Sequence, residues 1–296
     1  MSLVPSPVTG KPYGLAAVCR VWRLARSGVY RHQTLPPDTP PGRRGPIGPM
    51  SDDTLTTVIR GVLAASPFHG EGHRKVWARL RHAGTRTSLR RVLRLMRENG
   101  LLAPGRAGPP RGPRNHDGTI IPETVDTMWG TDLTATWTGE GLAAVFIAID
   151  HCSAECVGIH AHARATRFEA LEPIRQGVRR HFGGFAKGIA HGLALRHDHG
   201  SQYMSDHFQT EITFLGIESS PAFVRAPEGN GCAERFIRTL KESLLWVRHF
   251  ETIEELRQAL LEFRETYNTK WLIERHGYLT PAGFHQKQLQ SAAEAA

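Results

Sequence analysis

The strongest constraint on the fold is a change of hydrophobic period near residue 126. Downstream of it, three runs have the alternating or continuously apolar pattern of β-strands, at 126–137, 142–150 and 156–163. A Gly-Glu-Gly tripeptide separates the first two runs, and the short segment HCSAE separates the second from the third. Because strands joined by such short turns pair antiparallel, the pattern predicts a three-stranded antiparallel meander.

After the meander, helical and strand-like segments alternate. The pattern predicts a helix from Arg167 to His181, a strand that ends at Asp198, a helix at about 205–215, a short strand near 216–220 and a long helix that begins near Cys232. This order of elements is typical of a ribonuclease-H-like fold. We therefore expect an α/β domain with a mixed five-stranded sheet flanked by helices, preceded by a small all-helical region of helix-turn-helix type.

Two segments rich in proline and glycine, 34–49 and 103–118, interrupt the N-terminal part of the chain. Neither can form a regular element, so we interpret both as linkers, the second of them basic. They divide the chain into a short helical segment at 1–33, a helical domain at 50–102 and a larger domain at 119–296. The first segment resembles part of a helix-turn-helix, and a plain amphipathic helix pair is an equally good interpretation.

The two parts of the chain differ in charge. Residues 1–118 contain 20 Lys and Arg against 6 Asp and Glu, a net charge of +14, whereas residues 119–296 contain 17 against 22, a net charge of −5. A basic region joined to a mildly acidic one predicts that the basic region binds a polyanion. A solvated, arginine-rich surface without a partner is the alternative interpretation.

Three helices are predicted in the 50–102 domain, at 52–67, 70–84 and 87–101. In the third, we expect an apolar stripe to face the core and three arginines to lie on another face. The stripe consists of Leu89, Val92, Leu93 and Met96, and the arginines are Arg90, Arg94 and Arg97. Such a helix can contact phosphates or base edges, so this domain is interpreted as DNA-binding and the three arginines as its candidate contacts. The alternative is an ordinary helix with a solvated face.

The sequence predicts neither a membrane protein nor a secreted one. The longest apolar run, 142–149, is too short to span a bilayer, and the N-terminus lacks the apolar segment of a signal peptide. The four cysteines are scattered, which fits a reducing compartment. We expect a cytoplasmic protein without a membrane partner.

Three acidic residues lie at positions that the predicted topology brings close together. Asp132 lies inside the first strand, Asp198 at the end of the fourth, and Glu234 near the start of the long helix. In a ribonuclease-H-like sheet, strands one and four are neighbours and the helix packs across them, so we expect the three carboxylates to converge. For Asp198, the alternative is a surface turn residue that only binds backbone groups.

Three converging carboxylates suit the cleavage and transfer of phosphodiesters. This chemistry places negative charge on the attacking and leaving oxygens, and two Mg²⁺ ions about 3.5–4 Å apart can stabilise both. Because Mg²⁺ prefers hard oxygen ligands and keeps several waters, a few carboxylates suffice to bind it. We expect one aspartate to bridge two ions and each of the other acids to bind one, while basic neighbours of Asp198 face phosphate.

Several polar residues near these acids are further candidates. Arg238 and Lys241 follow Glu234 at i+4 and i+7 on its own helix face, and we predict that they contact DNA phosphates; an exposed cationic face is the alternative. Asn230 either orients substrate or caps the helix, and Ser201 and Gln202 position backbone or DNA.

Other acidic and metal-binding patterns are weaker candidates. We interpret Asp150 as a turn residue, Glu228 as a loop residue and Asp206 as a residue that caps or begins a helix. His151, Cys152, Cys156 and His160 have the composition of a zinc site. Strand alternation places these four side chains on two faces of a hairpin, which argues against a shared ion.

The motifs WGTDLT, RHDHGSQY and PEGNGCAERFIRTLKE, in this order and spacing, resemble the DDE catalytic core of retroviral integrases and insertion-sequence transposases. The segments at 267–284 and within 66–102 also resemble that transposase group, so the similarity covers about 14–285. Two features depart from the family pattern: His199 stands where arginine is common, and Cys232 and Ala233 precede the glutamate.

This resemblance implies an activity and partners. It implies metal ligation and catalysis by Asp132, Asp198 and Glu234, two Mg²⁺ or Mn²⁺ ions, cleavage at transposon ends and strand transfer into target DNA. It also implies a homo-oligomer in a synaptic complex, an association with an upstream-frame DNA-binding protein and a location on the nucleoid. A non-catalytic DNA-binding regulator and a nuclease without strand transfer are the alternatives.

Overall fold

The computed structural model describes residues 3–34, 50–105, 120–222 and 227–295. The chain divides into two compact units, Met1–Pro49 and Met50–Ala296. Nearly all of the two predicted linkers lies outside the described residues. The boundary predicted at 103–118 falls inside the second unit, so the division of that unit into a DNA-binding domain and a core stays a prediction.

The first unit contains a helix pair. Helix α1 spans Gly14–Val21 and α2 spans Arg26–Thr34, as the sequence predicts. Arg23 in the intervening turn has a left-handed backbone, with φ of 51°. Cys19 is buried in this unit, whereas Val21 and Trp22 are largely exposed.

Three helices open the second unit: α3 spans Asp52–Ala64, α4 spans His73–His82 and α5 spans Leu89–Glu98. The hydroxyl of Ser88 caps α5 by accepting a hydrogen bond from the backbone N–H of Arg91 at 3.2 Å. The core between the helices consists of Leu55, Ile59, Val76, Leu80, Val92, Leu95 and Met96.

The predicted apolar stripe of α5 is therefore partly wrong. Leu95 is buried, while Leu89 and Leu93 are only half-buried, because α5 packs against both α3 and α4 rather than against one neighbour.

The larger part of the second unit is built on a five-stranded mixed sheet. Its strands are β1 (Met128–Thr138), β2 (Gly141–Asp150), β3 (Cys156–His162), β4 (Ala194–His197) and β5 (Glu218–Pro221), in the order β3-β2-β1-β4-β5. The first three strands pair antiparallel, and β1–β4 and β4–β5 pair parallel. This is the ribonuclease-H-like arrangement that the order of elements predicts.

One strand end differs from the prediction. Strand β4 ends at His197, whose carbonyl oxygen accepts a hydrogen bond from the backbone N–H of Ala222 at 2.8 Å. Asp198 leaves the ladder because its own side chain accepts the N–H of Gly200 at 2.8 Å and thereby forms a turn.

Helices cover both faces of the sheet. Helices α6 (Arg167–His181) and α7 (Asp206–Phe214) pack on one face, and α8 (Gly231–Leu240) and α9 (Ile253–Lys270) pack on the other. Strand β2 is buried at every position from Ala143 to Asp150, because alternate side chains enter the two cores. A last helix, α10, spans Pro281–Ala295.

The long helix predicted from Cys232 begins one residue earlier and changes its winding. After Leu240, the chain continues as a single wider turn of π type over Lys241–Leu245. Leu240 and Leu245 are both buried, since a turn of this width returns residues five apart to one face.

The helical bundle α3–α5 contacts the sheet domain directly. Phe68 is 4% exposed and packs in the α8–α9 core, with ring-centroid distances of 6.3 Å to Phe263 and 4.8 Å to Trp271. Arg74 forms a 2.8 Å ion pair with Glu274. No helix in the described ranges has both the length and the apolarity to cross a membrane.

Candidate active site

The register of β1 and β4 relates two of the three acids. Gly130 pairs in parallel with Arg196, and Asp132 and Asp198 each lie two residues beyond that pair. Because side chains two residues apart point to the same side of a strand, Asp132 lies on the same face of the sheet as Gly130, and Asp198 follows directly after the end of the neighbouring strand β4. Asp132 is also opposite Ile147, whose side chain enters the α8–α9 core, so this face is the one that α8 covers.

Asp132 is half-buried beside like charges. Burial is the main cause that raises its pKa to about 6, and the carboxylates of Asp198 and Glu234 raise it further. The backbone N–H of Leu133, which donates to Oδ1 at 2.8 Å, and the ammonium of Lys241 act in the opposite direction. The three acids are therefore electrostatically coupled.

Asp198 is exposed at the end of β4 and combines two features. Its Oδ1 accepts the N–H of Gly200, which is the turn role that the sequence left open. Its carbonyl oxygen lies 2.7 Å from Nδ1 of His197, whose Nε2 lies 2.9 Å from the hydroxyl of Ser219. Burial lowers the pKa of His197, so a neutral ring with the proton on Nδ1 fixes the backbone at Asp198.

Glu234 is exposed in the first turn of α8, and the start of that helix is fixed to β1. The buried amide of Asn230 donates from Nδ2 to the carbonyl oxygen of Thr131 at 3.0 Å, one residue before Asp132. It does not cap α8. A Cβ at Gly130 would overlap with Oδ1 of Asn230 and Nε2 of His151, so only glycine allows this approach.

The donor set fits hard divalent cations. It consists of three carboxylates, and Mg²⁺ and Mn²⁺ prefer oxygen ligands. The mutual repulsion that raises the pKa of Asp132 is the repulsion that bound cations would remove. Within the described ranges, the three acids do not form a ligand set with all atoms inside 4.8 Å of one another. Ligands distributed over two ions can be spaced more widely than that.

Basic side chains lie near the acids, but they differ in burial and in their own partners. Lys241 is half-buried and close enough to Asp132 to lower its pKa, whereas Arg238 is exposed and forms a 3.1 Å ion pair with Glu242. The expectation that the basic neighbours of Asp198 face phosphate is wrong for Arg196, which is 4% exposed and donates to the hydroxyl of Ser220 at 3.0 Å. Its side chain therefore binds the end of β5.

The three arginines of α5 also differ from one another. Arg90 and Arg97 are exposed. Arg94 forms ion pairs with Asp52 and Glu98 at 2.7 and 2.8 Å. Contact of these residues with DNA stays a prediction.

The weaker acidic candidates have structural roles. Oδ1 of Asp150 accepts hydrogen bonds from the backbone N–H and the hydroxyl of Ser153, and Oδ2 accepts the N–H of Asp126, as expected of a turn residue. Asp206 begins α7, as predicted. The side chain of Glu228 lies outside the described residues.

The four residues with the composition of a zinc site, at 151–160, do not lie together. His160 lies 2.7 Å from the carboxylate of Glu169, and Nδ1 of His151 lies 3.0 Å from the carbonyl oxygen of Ile120. In the parts of the chain that the structure describes, the four histidines and cysteines at 151–160 do not share a metal position.

Family models match two parts of the chain. The model described as HTH-like domain matches residues 51–107, and the model described as integrase core domain matches residues 215–281. The transposase InsD of insertion element IS2A/D/F/H/I/K from Escherichia coli is 27% identical over 278 residues, which are 91% of this chain and 90% of that protein. Over nine-tenths of its length, the chain is similar to this insertion-element transposase.

A longer protein from the same bacterium is also similar to this chain. The IS2A uncharacterized 48.2 kDa protein of Escherichia coli is 27% identical over 285 residues, and the match spans 93% of this chain but 65% of that protein. Among solved structures, the catalytic core domain of BIV integrase is 19% identical, with a TM-score of 0.43 and coverage of 57% of this chain and 99% of the other.

Proposed function

We propose that this chain is a DNA transposase that cleaves phosphodiesters at the ends of its element and joins them to target DNA. The observation that carries the proposal is geometric. Gly130 of β1 pairs with Arg196 of β4, two residues before Asp132 and Asp198, and Asn230, four residues before Glu234, donates to the carbonyl oxygen of Thr131 in β1. The relationship to IS2 transposase InsD, over nine-tenths of each chain, supports the same activity.

In this mechanism, the three acids would hold two Mg²⁺ or Mn²⁺ ions beside the substrate phosphate. When bound, the ions supply Lewis-acid stabilisation of charge on the attacking and leaving oxygens. The hydrogen bond from Asn230 to Thr131 fixes the start of α8, and with it Glu234, relative to β1. The hydrogen bond from His197 fixes the backbone of Asp198 at the strand end. Lys241 and Arg238 attract DNA phosphates to the same face of α8. Water is the nucleophile for cleavage, and a 3′-hydroxyl end is the nucleophile for strand transfer.

The remaining parts of the proposal concern DNA and assembly. The basic helices α3–α5, with Arg90, Arg94 and Arg97, bind the element ends. Two ends must be brought together before transfer, so we expect a homo-oligomer in the synaptic complex. An upstream-frame DNA-binding protein and a cytoplasmic, nucleoid-associated location complete the proposal.

Cleavage of labelled end DNA in Mg²⁺ or Mn²⁺ tests the acidic triad. We expect Asp198→Asn to reduce cleavage by about 10³-fold or more, because the hard anionic ligand is lost, while binding of end DNA stays within about twofold of wild type. Asp206→Asn is the matched control, since Asp206 begins α7 and has no part in the site. Undiminished cleavage by the Asp198→Asn protein would contradict the assignment.

A second assay distinguishes the proposed activity from its alternatives. Wild-type protein is mixed with pre-cut ends that carry a 3′-hydroxyl and with a supercoiled target plasmid. A transposase joins the ends to the plasmid, a nuclease cuts without joining, and a DNA-binding regulator only retards the DNA in a gel.

A further inference from the structure

A second cluster of titratable side chains lies at the start of β1, and its aspartate is six residues before Asp132. It consists of Asp126, two residues before β1, His181, the last residue of α6, and His285 in α10. Their side chains are 17%, 7% and 6% exposed. One ligand atom from each lies within 4.8 Å of the other two. The cluster has no role in the proposed transposition chemistry.

Two of the three distances in this cluster match those between ligands of one metal ion. Both imidazoles approach the same oxygen, Oδ2 of Asp126: Nδ1 of His181 lies at 3.3 Å and Nε2 of His285 at 3.1 Å. In a tetrahedral zinc site with bonds of 2.0–2.2 Å, neighbouring ligand atoms are about 3.3 Å apart. Two nitrogens and one carboxylate oxygen are also a donor set that zinc accepts, with a fourth position for water.

Further side chains contact these three residues in the way that outer-shell groups contact metal ligands. Nδ1 of His285 lies 3.1 Å from Oε2 of Glu155, whose side chain is 4% exposed. The other oxygen of Asp126, Oδ1, accepts a hydrogen bond from the indole N–H of Trp129 at 3.0 Å. A carboxylate behind a metal-bound histidine, and a hydrogen bond to a ligating carboxylate, orient ligands in many metal sites.

A proton on each histidine is the competing explanation for the two short contacts. Nε2 of His181 is buried and has no hydrogen-bond partner among the described residues, so this ring contacts the cluster only through Nδ1. An imidazolium needs an acceptor at both nitrogens. His285 fits a proton better: burial acts to lower its pKa, but the carboxylates of Asp126 and Glu155 at its two nitrogens raise it to about 10, so a bound metal ion has to displace that proton.

We propose that Asp126, His181 and His285 bind one divalent transition-metal ion of the zinc class, with Glu155 orienting His285. The site joins three segments that are far apart in sequence: the entry to β1, the end of α6 and helix α10. Since the ligands come together only in the folded chain, binding stabilises the docking of α10 on the sheet domain.

Titration of the full-length chain with Co²⁺ and Zn²⁺, after removal of metals with EDTA, tests this site. Co²⁺ reports on it through visible absorption, which is strong for tetrahedral nitrogen and oxygen ligands and weak for six oxygens. We expect one Co²⁺ per chain with a strong band, displacement by an equivalent of Zn²⁺, and the same band in Asp198→Asn, whose change lies in the acidic triad. The absence of the band and of Zn²⁺ uptake in the wild-type chain overturns the proposal without any variant.

Variants assign the ligands. We expect His285→Gln and Asp126→Asn to weaken Zn²⁺ binding by at least about 100-fold and Glu155→Gln by about 10–100-fold. His249→Gln is the control, because His249 is 68% exposed elsewhere on the surface. Circular dichroism confirms that each variant is folded. Glu155→Gln leaves all three ligands intact, so it remains informative if a ligand variant unfolds. Equal Zn²⁺ affinity in wild type, His285→Gln and Asp126→Asn contradicts the assignment.

Discussion

At the scale of single residues, Asn230 connects the active-site helix to the strand that carries Asp132. We expect Asn230→Ala to lower cleavage by about 10–100-fold and to raise the Mg²⁺ concentration needed for half-maximal activity. The reason is that the loss of the hydrogen bond to Thr131 lets Glu234 shift relative to β1. The measurement is the Mg²⁺ dependence of the cleavage rate at saturating DNA. A variant that is less stable but keeps the wild-type Mg²⁺ dependence would show that Asn230 has only a structural role.

We expect the buried side chain of His276 to make the stability of the fold depend on pH. It is 8% exposed and stacks on Phe284 at a centroid distance of 3.8 Å, and burial, together with the charge of Arg275, lowers its pKa to about 4. The unfolded chain takes up this proton below about pH 6.5 and the folded chain only near pH 4, so stability falls as pH decreases between these values. At pH 5, this group contributes a loss on the order of 1–2 kcal/mol.

Urea unfolding of wild type and His276→Gln at pH 7.5 and pH 5 measures this contribution. His151 and His197 are also buried with lowered pKa values, so wild type and variant both lose stability at pH 5. We expect a smaller loss in the variant. An equal loss in the two proteins would contradict the assignment to His276.

The residues of the candidate site could be predicted to different degrees. The assignment of Asp132, Asp198 and Glu234 to the site stays a prediction that rests on residue type, spacing and the order of strands. The role of Asn230 could not be predicted, because it depends on which backbone carbonyl its amide meets after α8 docks on β1. His285 was missed for a similar reason, since its partners lie more than 100 residues away in sequence.

At the scale of elements, the packing of α6 on β3 depends on a missing side chain. A Cβ at Gly158 would overlap with the backbone of Pro173 in α6. We expect Gly158→Ala to destabilise the protein by about 1–3 kcal/mol, because backbone atoms cannot move aside as a flexible side chain can. Gly61→Ala in α3 is the control, since its Cβ meets open space, and it is expected to stabilise by about 0.5–1 kcal/mol. Thermal unfolding of both variants measures the difference, and equal effects would contradict the argument.

Elements were predictable where local signals agree. Helix α6 runs from Arg167 to His181 as predicted, with Thr166 capping it through the N–H of Glu169 at 3.4 Å. The π-type turn after Leu240 has no local signal, because it depends on the burial of Leu245 in the core. The end of β4 was missed by one residue, since the turn at Asp198 competes with the ladder.

At the scale of the whole second unit, the basic helices are attached to the sheet domain by a small set of contacts. Phe68 lies between α3 and α4 in sequence but belongs to the core under α8 and α9. Arg79 forms a 2.7 Å ion pair with the buried carboxylate of Glu71 and donates to the carbonyl oxygen of Lys270 at 3.1 Å. The linker composition at 103–118 gave no sign of this attachment, because a linker pattern describes the connection and not the surfaces that it joins.

Replacement of Phe68 tests whether the bundle α3–α5 and the sheet domain unfold together. We expect Phe68→Ala to destabilise the sheet domain by about 3–5 kcal/mol, since a large ring leaves the core of another domain. Val92→Ala is the control, because Val92 is buried only in the core of α3–α5. Hydrogen exchange is read separately in α4 and in α9. Phe68→Ala is expected to increase exchange in α9 as well as in α4, whereas Val92→Ala increases it in α3–α5 alone. Unchanged exchange in α9 of the Phe68→Ala protein would show that the two parts are stable independently.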